Sequence, residues 1–485
     1  GTSNGIVQVT RDMGKTWTKV SPPRLSGDAN LTVWTMEASP HDAGVAYVGA
    51  VDFSDAHGPS FFMTTDFGAT WKEINTGLPK DVPTRTVRED PKEPTLLYAA
   101  TQKGVFVSFD RGGQWQPLQL NLPPAPVNDL TVHGDDLIAA TWGRAIWALD
   151  NVTPLRQMAA ARAATGNAFL FAPATATRVR WDNNHDTPLP PEVPQGQNPP
   201  DGVAIDYILK NAAASVRIEI ADAAGHVVHS ITNVAPPADT RMPNVAPAWF
   251  KAPQVAPASA GMHRVVWDLR YTTPPALDFN GEGVEADTVS FGLIAPAIYG
   301  QSPKQQPLGS LVLPGAYEVR LIAGGTTLTQ KLTVVNDPRS EASAADLTAQ
   351  FAQEQRLMHG IGNSRFAIDV IGRVRTAART AVATHSGANA ALQALDRAGA
   401  AVITTLAGNR GFASILADLE YADMRPAPSV IAAIDTACAK GDQSLARYRD
   451  FLEKDLAAFN TALTAAGGTA IAAPQRPVTT ACVAR

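Results

Sequence analysis

The sequence has few cysteines, no block of basic residues and no long apolar run. Its 485 residues contain two cysteines, which are too few for a disulfide framework and form no CxxC or Cys/His zinc pattern. No run of about 18 apolar residues is present, which predicts no transmembrane segment. The net charge of -5 argues against a nucleic-acid partner. We therefore expect a globular protein without a metal or cofactor.

The two cysteines leave two alternatives open. Cys438 lies in a helical stretch and Cys482 in a polar tail, so they could form one disulfide or remain free thiols. A disulfide would fit an oxidising compartment, and we expect a secreted or periplasmic protein. No signal peptide is recognisable, but Gly1 opens in the middle of a repeat, so this observation says little about the compartment.

One short pattern, S/T-x-D-x-G-x-T/Q-W, occurs three times in the first 120 or so residues. Its aspartates are 54 and 44 residues apart, a spacing that suits four-stranded sheets. In a tight hairpin the carboxylate can accept backbone N–H groups, the glycine supplies a positive φ, and the tryptophan packs between sheets. The members are Asp12, Gly14 and Trp17, then Asp66, Gly68 and Trp71, then Asp110, Gly112 and Trp115.

A second register supports a β-propeller over residues 1–150. The segment from Leu97 to Asp110 aligns without gaps on the segment from Leu137 to Asp150. The strands add up to about three and a half blades, whereas closed propellers have about four to eight. We expect the missing blades to come from the same precursor or from a second chain.

Residues 151–164 read as a linker, and residues 165–338 as an antiparallel β-sandwich of the immunoglobulin or fibronectin type. Alternating apolar residues and Gly-containing turns carry this prediction. The predicted strands include Val203–Lys210, Ser215–Asp222, Val227–Thr232, Gly261–Tyr271, Leu311–Ala323 and Thr327–Val335.

From Ser343 the apolar period changes to that of helices, which predicts a helical bundle or coiled-coil hairpin over 339–466 and a tail over 467–485. We expect Gly360 and Gly362 to break the first helix. Gly441 and Asp442 should open the last helix, and Gly467-Gly468 should close it. These Ala-rich helices could also drive oligomerisation.

Several polar groups could serve a site, although each has a simpler structural explanation. Asp182, His185 and Asp186 could bind a cation or form a solvated turn, and Asp268 with Arg270 could meet a partner or pair with each other. Asp52, Asp55 and His57 lie in an insertion that could reach a ligand or stay solvated. The helical arginines could bind an anion or form a solvated face; they are Arg356, Arg365, Arg373, Arg375 and Arg379.

The repeats resemble the Asp-box (BNR) propellers of sialidases, sortilin-type receptors and xyloglucanase-like glycoside hydrolases. The order of later motifs resembles the secreted bacterial sortilin/VPS10-like proteins that are often labelled glycosyl hydrolases. These motifs are Phe169-Leu-Phe-x-Pro173, Trp267-Asp-Leu-Arg-Tyr271, Leu313-Pro-Gly-x-Tyr317 and Leu419–Pro426. The resemblance implies that the Asp-box residues are structural turns on the rim.

No catalytic constellation is recognisable in the sequence. Carboxylates such as Glu37, Asp52, Glu89 and Asp90 sit in no catalytic motif, and a glycosidase needs two carboxylates facing each other across a cleft. We therefore expect a binding or scaffold protein whose propeller binds a glycan or polypeptide. The alternative is a glycoside hydrolase whose catalytic carboxylates lie in blades outside this chain.

Overall fold

The chain forms two compact units in a computed structural model. The first unit comprises residues 1–174 and 206–210, and the second comprises 175–205 and 211–485. The structure describes residues 1–27, 30–52, 58–180, 199, 201–235, 254–272, 294–295, 304–305, 309–408, 411–472, 478 and 480–483.

The first unit is a series of antiparallel sheets with two, four, four and three strands in chain order. The first two sheets contain β1 (Gln8–Val9) and β2 (Thr18–Lys19), then β3 (Leu31–Ala38), β4 (Ala46–Asp52), β5 (Phe61–Thr64) and β6 (Lys72–Glu73). A short helix, α1 (Pro23–Gly27), lies between them. The last two contain β7 (Thr84–Glu89), β8 (Leu97–Thr101), β9 (Gly104–Ser108) and β10 (Gln116–Pro117), then β11 (Val127–His133), β12 (Asp136–Thr141) and β13 (Ile146–Leu149).

Successive sheets bury apolar side chains against each other. Tyr47 and Phe61 of the second sheet share one core with Val87 and Trp115, which lie on and beside the third. A further core joins the third and fourth sheets. The middle strands β8 and β9 are buried along their whole length, which explains their runs of Val, Ala, Phe and Tyr.

The first unit closes with two short helices and a strand pair. These elements are α2 (Thr153–Arg156), α3 (Met158–Ala163), β14 (Ala168–Leu170) and the second half of β16 (Val203–Leu209). Pro154 stands in the first turn of α2, where its missing N–H costs no hydrogen bond.

The second unit begins with a five-stranded sheet in the order β15-β23-β22-β17-β18. Its strands are β15 (Ala176–Arg178), β17 (Val216–Ala221), β18 (Val227–Thr232), β22 (Gly315–Ala323) and β23 (Thr326–Asn336). The same unit contains β19 (Gly261–Trp267), β20 (Ile294–Ala295) and β21 (Lys304–Gln305). The expectation of purely antiparallel pairing is wrong at one edge, because β15 runs parallel to β23.

The helical part of the second unit contains α4 (Ala344–Thr384), α5 (Asn389–Ala407), α6 (Gly411–Leu419), α7 (Pro428–Asp450) and α8 (Leu456–Ala465). A 3-10 turn (Ser386–Ala388) precedes α5, and a π turn (Phe451–Asp455) joins α7 to α8. Ser343 and Asp346 form a reciprocal capping box at the start of α4. Gly467 adopts a positive φ just after α8, as expected for a helix that ends there.

Two predicted helix boundaries are wrong. Helix α4 runs through Gly360 and Gly362, and α7 runs through Gly441. At Gly360 a Cβ would lie 2.8 Å from the Phe412 ring, and at Gly441 it would lie 2.6 Å from Ala481. These glycines therefore permit close packing within continuous helices. Asp442 caps no helix, since its Oδ1 accepts from the Ala481 N–H at 2.7 Å.

By length and composition, the stretch Ser386–Leu419 is the one helical stretch among the described residues that could cross a membrane. Its Leu395, Leu406, Phe412 and Leu416 are buried in the helical core. A core helix passes the same test, so the stretch is weak evidence for a membrane span.

Candidate functional site

Each of the three repeated aspartates closes a hairpin by accepting from the backbone N–H four residues later. Asp12 Oδ1 accepts from the Thr16 N–H at 2.8 Å, and its Oδ2 accepts from the Thr16 hydroxyl at 2.7 Å. The second turn repeats this pattern with Asp66 and Thr70. In the third turn Asp110 accepts from the Gln114 N–H at 2.9 Å. These carboxylates are occupied by the turns themselves.

The turn backbone explains the glycine of the repeat. Gly14, Gly68 and Gly112 have φ values of 87°, 86° and 80°, a region that L side chains rarely adopt. Hydrogen bonds from Thr16 N–H and hydroxyl lower the pKa of Asp12, and those from the Thr70 hydroxyl and N–H lower that of Asp66. Both carboxylates therefore stay ionised, which suits a structural acceptor better than a proton donor.

The three repeated tryptophans differ in burial. Trp115 is 1% exposed and its Nε1 donates to the Ile74 carbonyl at 2.6 Å. Trp71 is half-buried and donates to the Val20 carbonyl at 2.6 Å. Trp17 is 58% exposed. Each acceptor lies three residues after the preceding tryptophan of the repeat, and within the described residues Trp17 has no such acceptor.

The glycines of the turns show the same periodicity. A Cβ on Gly68 would lie 2.6 Å from Val20, and one on Gly112 would lie 2.8 Å from Ile74. On Gly14 it would approach only the ring of Trp17, at 4.0 Å. The surface formed by Gly14 and Trp17, which we call the leading face, therefore repeats an inter-sheet contact surface but is not covered by a described residue.

A groove of about 820 Å³ lies between the β1–β2 ribbon and the second Asp turn. Lys19, Pro23 and Trp71 are among the residues that line it. The carboxylate in its wall, Asp66, is already bound by Thr64 and Thr70. Because Asp66 is the one carboxylate among its lining residues, the groove contains no catalytic pair of carboxylates.

A polar cluster joins the first strands of three consecutive sheets. Arg88 of β7 donates to Glu37 of β3 at 3.0 Å and to Asp129 of β11 at 2.8 Å. Its Nε also donates to the Leu130 carbonyl at 2.8 Å. Burial raises the pKa of Glu37, although the charge of Arg88 opposes the rise. Arg88 thus holds the three first strands together.

All three first strands carry a β-bulge at the equivalent position. The register shifts lie at Val33/Thr35, Thr84/Thr86 and Val127/Asp129. The bulged residues are Trp34, Arg85 and Asn128. Bulges are common beside functional sites because they redirect a side chain. We call Trp34, Glu37, Arg85, Arg88 and Asp129 the first-strand cluster.

The candidates taken from the sequence did not include Trp34, Arg85, Arg88 and Asp129. A usable signal was present in the sequence. The segment from Ser39 to Tyr47 matches the segment from Asp90 to Tyr98, and extending this match backwards aligns Trp34 with Arg85 and Glu37 with Arg88. Equivalent positions that carry such different polar or aromatic residues are candidates for function. Only the strand pairing shows that these positions are bulged.

The second unit contains a buried arginine–carboxylate cluster. Arg178 and Arg180 bind Asp423 at 2.6 Å, and Arg180 also binds Glu420 at 2.6 Å. Arg270 binds the same Glu420 oxygen at 2.6 Å. Arg270 therefore pairs with the helical part, and the prediction that its side chain pairs with Asp268 is wrong. The sixth member, Glu354, lies 3.5 Å from Arg180.

The remaining sequence candidates are dispersed. Four of the five helical arginines form ion pairs with aspartates, so the solvated-face explanation is incomplete: Arg356 with Asp435, Arg365 with Asp369, and both Arg375 and Arg379 with Asp396. Arg373 has no such pair among the described residues. Asp52 is buried. Asp55, His57, Asp182, His185 and Asp186 lie outside the described residues.

Cys438 and Cys482 form a disulfide in the structure, with Cα atoms 5.7 Å apart. The tail around Cys482 is held by further contacts. Asn363 Nδ2 lies within 3.1 Å of the carbonyl oxygens of Thr480, Ala481 and Val483. Within the described part of the chain, no group of three His, Cys, Asp or Glu residues is placed to hold a metal ion.

Comparisons with known proteins give partial similarities. No protein-family model matches the chain. A stretch of 95 residues, 20% of the chain, is 28% identical to Vacuolar protein sorting/targeting protein 10 of Pyrenophora teres f. teres (strain 0-1) and spans 6% of that protein. This similarity supports a propeller family but not the specific group of bacterial sortilin-like proteins.

Two solved structures share 12% sequence identity with the chain. YCF48 bound to a D1 peptide is similar over 31% of this chain and 45% of that chain, with a TM-score of 0.25. The crystal structure of an ancestral GH74 enzyme is similar over 69% of this chain and 39% of that chain, with a TM-score of 0.24. The chain spans less than half the length of each of these proteins, and no statement on its activity follows from them.

Proposed function

We propose that the first unit is part of a β-propeller that binds a glycan or polypeptide at the first-strand cluster, and that the chain acts as a binding or scaffold module. The three bulges in equivalent positions carry this proposal. They place an aromatic, a cationic and an amide side chain on neighbouring strands, a combination suited to recognising a polar ligand. The resemblance to bacterial sortilin/VPS10-like proteins and the oxidised cysteine pair support a secreted or periplasmic location.

Binding is favoured over hydrolysis by the state of the two carboxylates. Glu37 and Asp129 both accept hydrogen bonds from Arg88, so each carboxylate already has a cationic partner and neither is a free acid or base. The competing proposal, a glycoside hydrolase with its catalytic carboxylates in blades outside this chain, predicts turnover only in a completed propeller.

An array of oligosaccharides and peptides probed with the full chain, followed by turnover assays on every binder, tests this function. We expect binding without turnover. R88M should weaken the binding, because it removes the hydrogen bonds that join the three first strands. S343A, which acts on a helix cap in the second unit, should leave binding unchanged. Turnover that disappears in E37Q or D129N would replace the binding proposal with the hydrolase one.

We further propose that another blade with the same repeat covers the leading face, supplied by the same precursor or by a second chain. Continuity supports this partner, since Trp71 and Trp115 already make the same contact. The partner should present a carbonyl to Trp17 Nε1 and a β-branched side chain to Gly14, as Val20 and Ile74 do for the next two turns.

Native mass spectrometry of gently purified material tests the partner. We expect a second polypeptide, or a longer form of the same one, that contains further S/T-x-D-x-G-x-T-W turns. The W17A variant should weaken its retention, whereas W34A should not. Retention that is insensitive to W17A would place the partner elsewhere.

A further inference from the structure

Arg85 is a buried cation for which the described part of the chain provides no counter-ion. The residue is 7% exposed, and its Nε is buried without a hydrogen-bond partner. Within the described part of the chain it forms no ion pair and no side-chain hydrogen bond. Arg88, three residues along the same strand, binds two carboxylates and a carbonyl. Of the two arginines of β7, Arg88 is therefore neutralised by carboxylates and Arg85 is not neutralised by any described residue.

An unpaired buried charge is costly, so its presence calls for an explanation. Burial lowers the pKa of Arg85, but a guanidinium stays protonated near neutral pH. Removing one partner of a buried ion pair destabilises a protein because it leaves an uncompensated charge. By the same reasoning, removal of a charge that is already uncompensated should stabilise it. A ligand that supplies the missing negative charge would account for the residue.

An aromatic platform lies beside this cation. The guanidinium carbon of Arg85 lies 5.1 Å from the centroid of the Trp34 ring, a distance that allows cation–π attraction. Trp34 is 46% exposed, so much of its indole remains accessible. Both residues occupy bulges of adjacent first strands. A ligand at this point would meet a positive charge and a flat apolar surface together.

The neighbouring backbone argues against an extended peptide as the ligand. The Thr86 hydroxyl donates to the Asn128 carbonyl at 3.1 Å, and Arg88 Nε donates to the Leu130 carbonyl. Two edge carbonyls of β11 are thereby occupied by side chains, although a peptide that adds a strand needs them free. Recognition through side chains, as for a sugar, fits this edge better.

We propose that Arg85 and Trp34 bind an acidic sugar residue of a glycan, with the carboxylate on the guanidinium and the C–H face of the ring on the indole. This assignment rests on the proposed binding function of the first-strand cluster and specifies its ligand class. A planar guanidinium can pair with both oxygens of one carboxylate.

A stability measurement on the ligand-free full chain is the first test. R85M should raise the Tm of the first unit by about 2–4 °C, because it removes an unpaired charge. R88M should lower Tm, since it leaves the carboxylates of Glu37 and Asp129 without their cationic partner. R11M is a matched control and should leave Tm unchanged. The guanidinium carbon of Arg11 also stacks on an aromatic ring, 4.0 Å from the Phe67 centroid, but Arg11 is exposed. A fall in Tm for R85M as large as that for R88M would overturn the proposal.

Calorimetric titration with digalacturonic acid and its dimethyl ester is the second test. We expect the acid to bind, the ester to bind at least about 10-fold more weakly, and R85Q to lose about 10- to 100-fold in affinity for the acid. W34A should also weaken binding, and R11Q should leave it unchanged. Equal binding of acid and ester, or R85Q that binds like the wild type, would overturn the acidic-sugar assignment.

The outcomes separate this inference from the function on which it rests. A neutral glycan that binds the first-strand cluster independently of Arg85 would leave the proposed function intact and refute the acidic ligand. A peptide with a free C-terminal carboxylate that binds through Arg85, while the sugar acid does not, would refute the glycan class. The absence of any glycan or peptide binder would refute both.

Discussion

The same residue type takes different roles according to what covers it, as the repeated tryptophans show. Trp115 is a core side chain, Trp71 is half-buried, and Trp17 is exposed, although all three occupy the same position of the repeat. Their indole N–H groups need an acceptor when buried, and the preceding sheet supplies it for two of them. Burial at a repeat position therefore depends on the neighbouring sheet.

Glu354 is the residue from which we expect a pH dependence. Burial, together with repulsion from Glu420, raises its pKa to about 8. The folded state then binds a proton that the unfolded state has already lost at intermediate pH. Stability of the second unit should therefore fall as the pH rises from about 4.5 to about 8, by at most about 1.4 kcal/mol per pH unit.

The substitution E354Q should remove this slope, because glutamine cannot ionise. Urea unfolding followed by the helical circular dichroism signal at pH 5, 6.5 and 8 measures it. S343A, which removes the cap of the same helix, should lower stability equally at all three pH values. An unchanged slope in E354Q would assign the pH dependence to other groups.

At the scale of elements, helix α4 contains two glycines with different surroundings. A Cβ on Gly360 would collide with the buried Phe412 ring, whereas one on Gly362 would meet nothing within 4 Å. We expect G360A to destabilise the second unit by about 1–3 kcal/mol through overpacking. G362A should stabilise it by about 0.5–1 kcal/mol, since alanine is the better helix former.

Urea midpoints of the two variants provide the measurement. Because the residues are two positions apart on one helix, propensity alone would give both substitutions the same sign. Stabilisation by both would show that Phe412 can move aside.

The tail is an element held by the disulfide and by Asn363. The disulfide closes a loop with a sequence separation of 44, for which chain entropy gives about 4 kcal/mol of stabilisation. Val478 and Ala481 are also buried. C482S should lower the stability of the second unit by up to this amount and expose the backbone of 480–483 to hydrogen exchange.

The N363A variant should expose the same segment without breaking the disulfide. N460A is the matched control, because Asn460 binds the backbone of Ile471 and not that of 480–483. Exchange at 480–483 that stays slow in both C482S and N363A would show that burial of Val478 and Ala481 alone holds the tail.

At the scale of the whole molecule, the division into two units predicts additive effects. W115A should cost about 3–5 kcal/mol in the first unit, and C482S acts in the second. Because the two residues lie in different units, the double variant should match the sum within about 0.5 kcal/mol.

Hydrogen exchange resolved by segment is the appropriate measurement, because a chain with two units does not unfold in one step. W115A should accelerate exchange in β8 and β9, and C482S should accelerate it in α7. Faster exchange in α7 caused by W115A would reveal energetic coupling between the units.

Local patterns predicted much of the fold. The S/T-x-D-x-G-x-T/Q-W repeat predicted the turns, since each depends on contacts within eight residues, and alternation predicted strands such as β18 and β22 to within a few residues. The mostly β fold with several sheets and C-terminal helices was predicted correctly. The helix breaks at Gly360 and Gly441 were not, because whether a glycine ends a helix or admits a neighbour depends on Phe412 and Ala481, which are distant in sequence.

The sequence by itself determined the periodic elements of this protein, because hydrogen-bonded turns and apolar periodicity act over a few residues. Only the tertiary structure decided the first-strand cluster and the arginine–carboxylate cluster. In the first, strands from three sheets bring Arg88 to Glu37 and Asp129, which are 51 and 41 positions away. In the second, Arg180 meets Glu420 across a separation of 240 residues. Burial and charge pairing at such distances depend on the packing of whole elements, which no local pattern records.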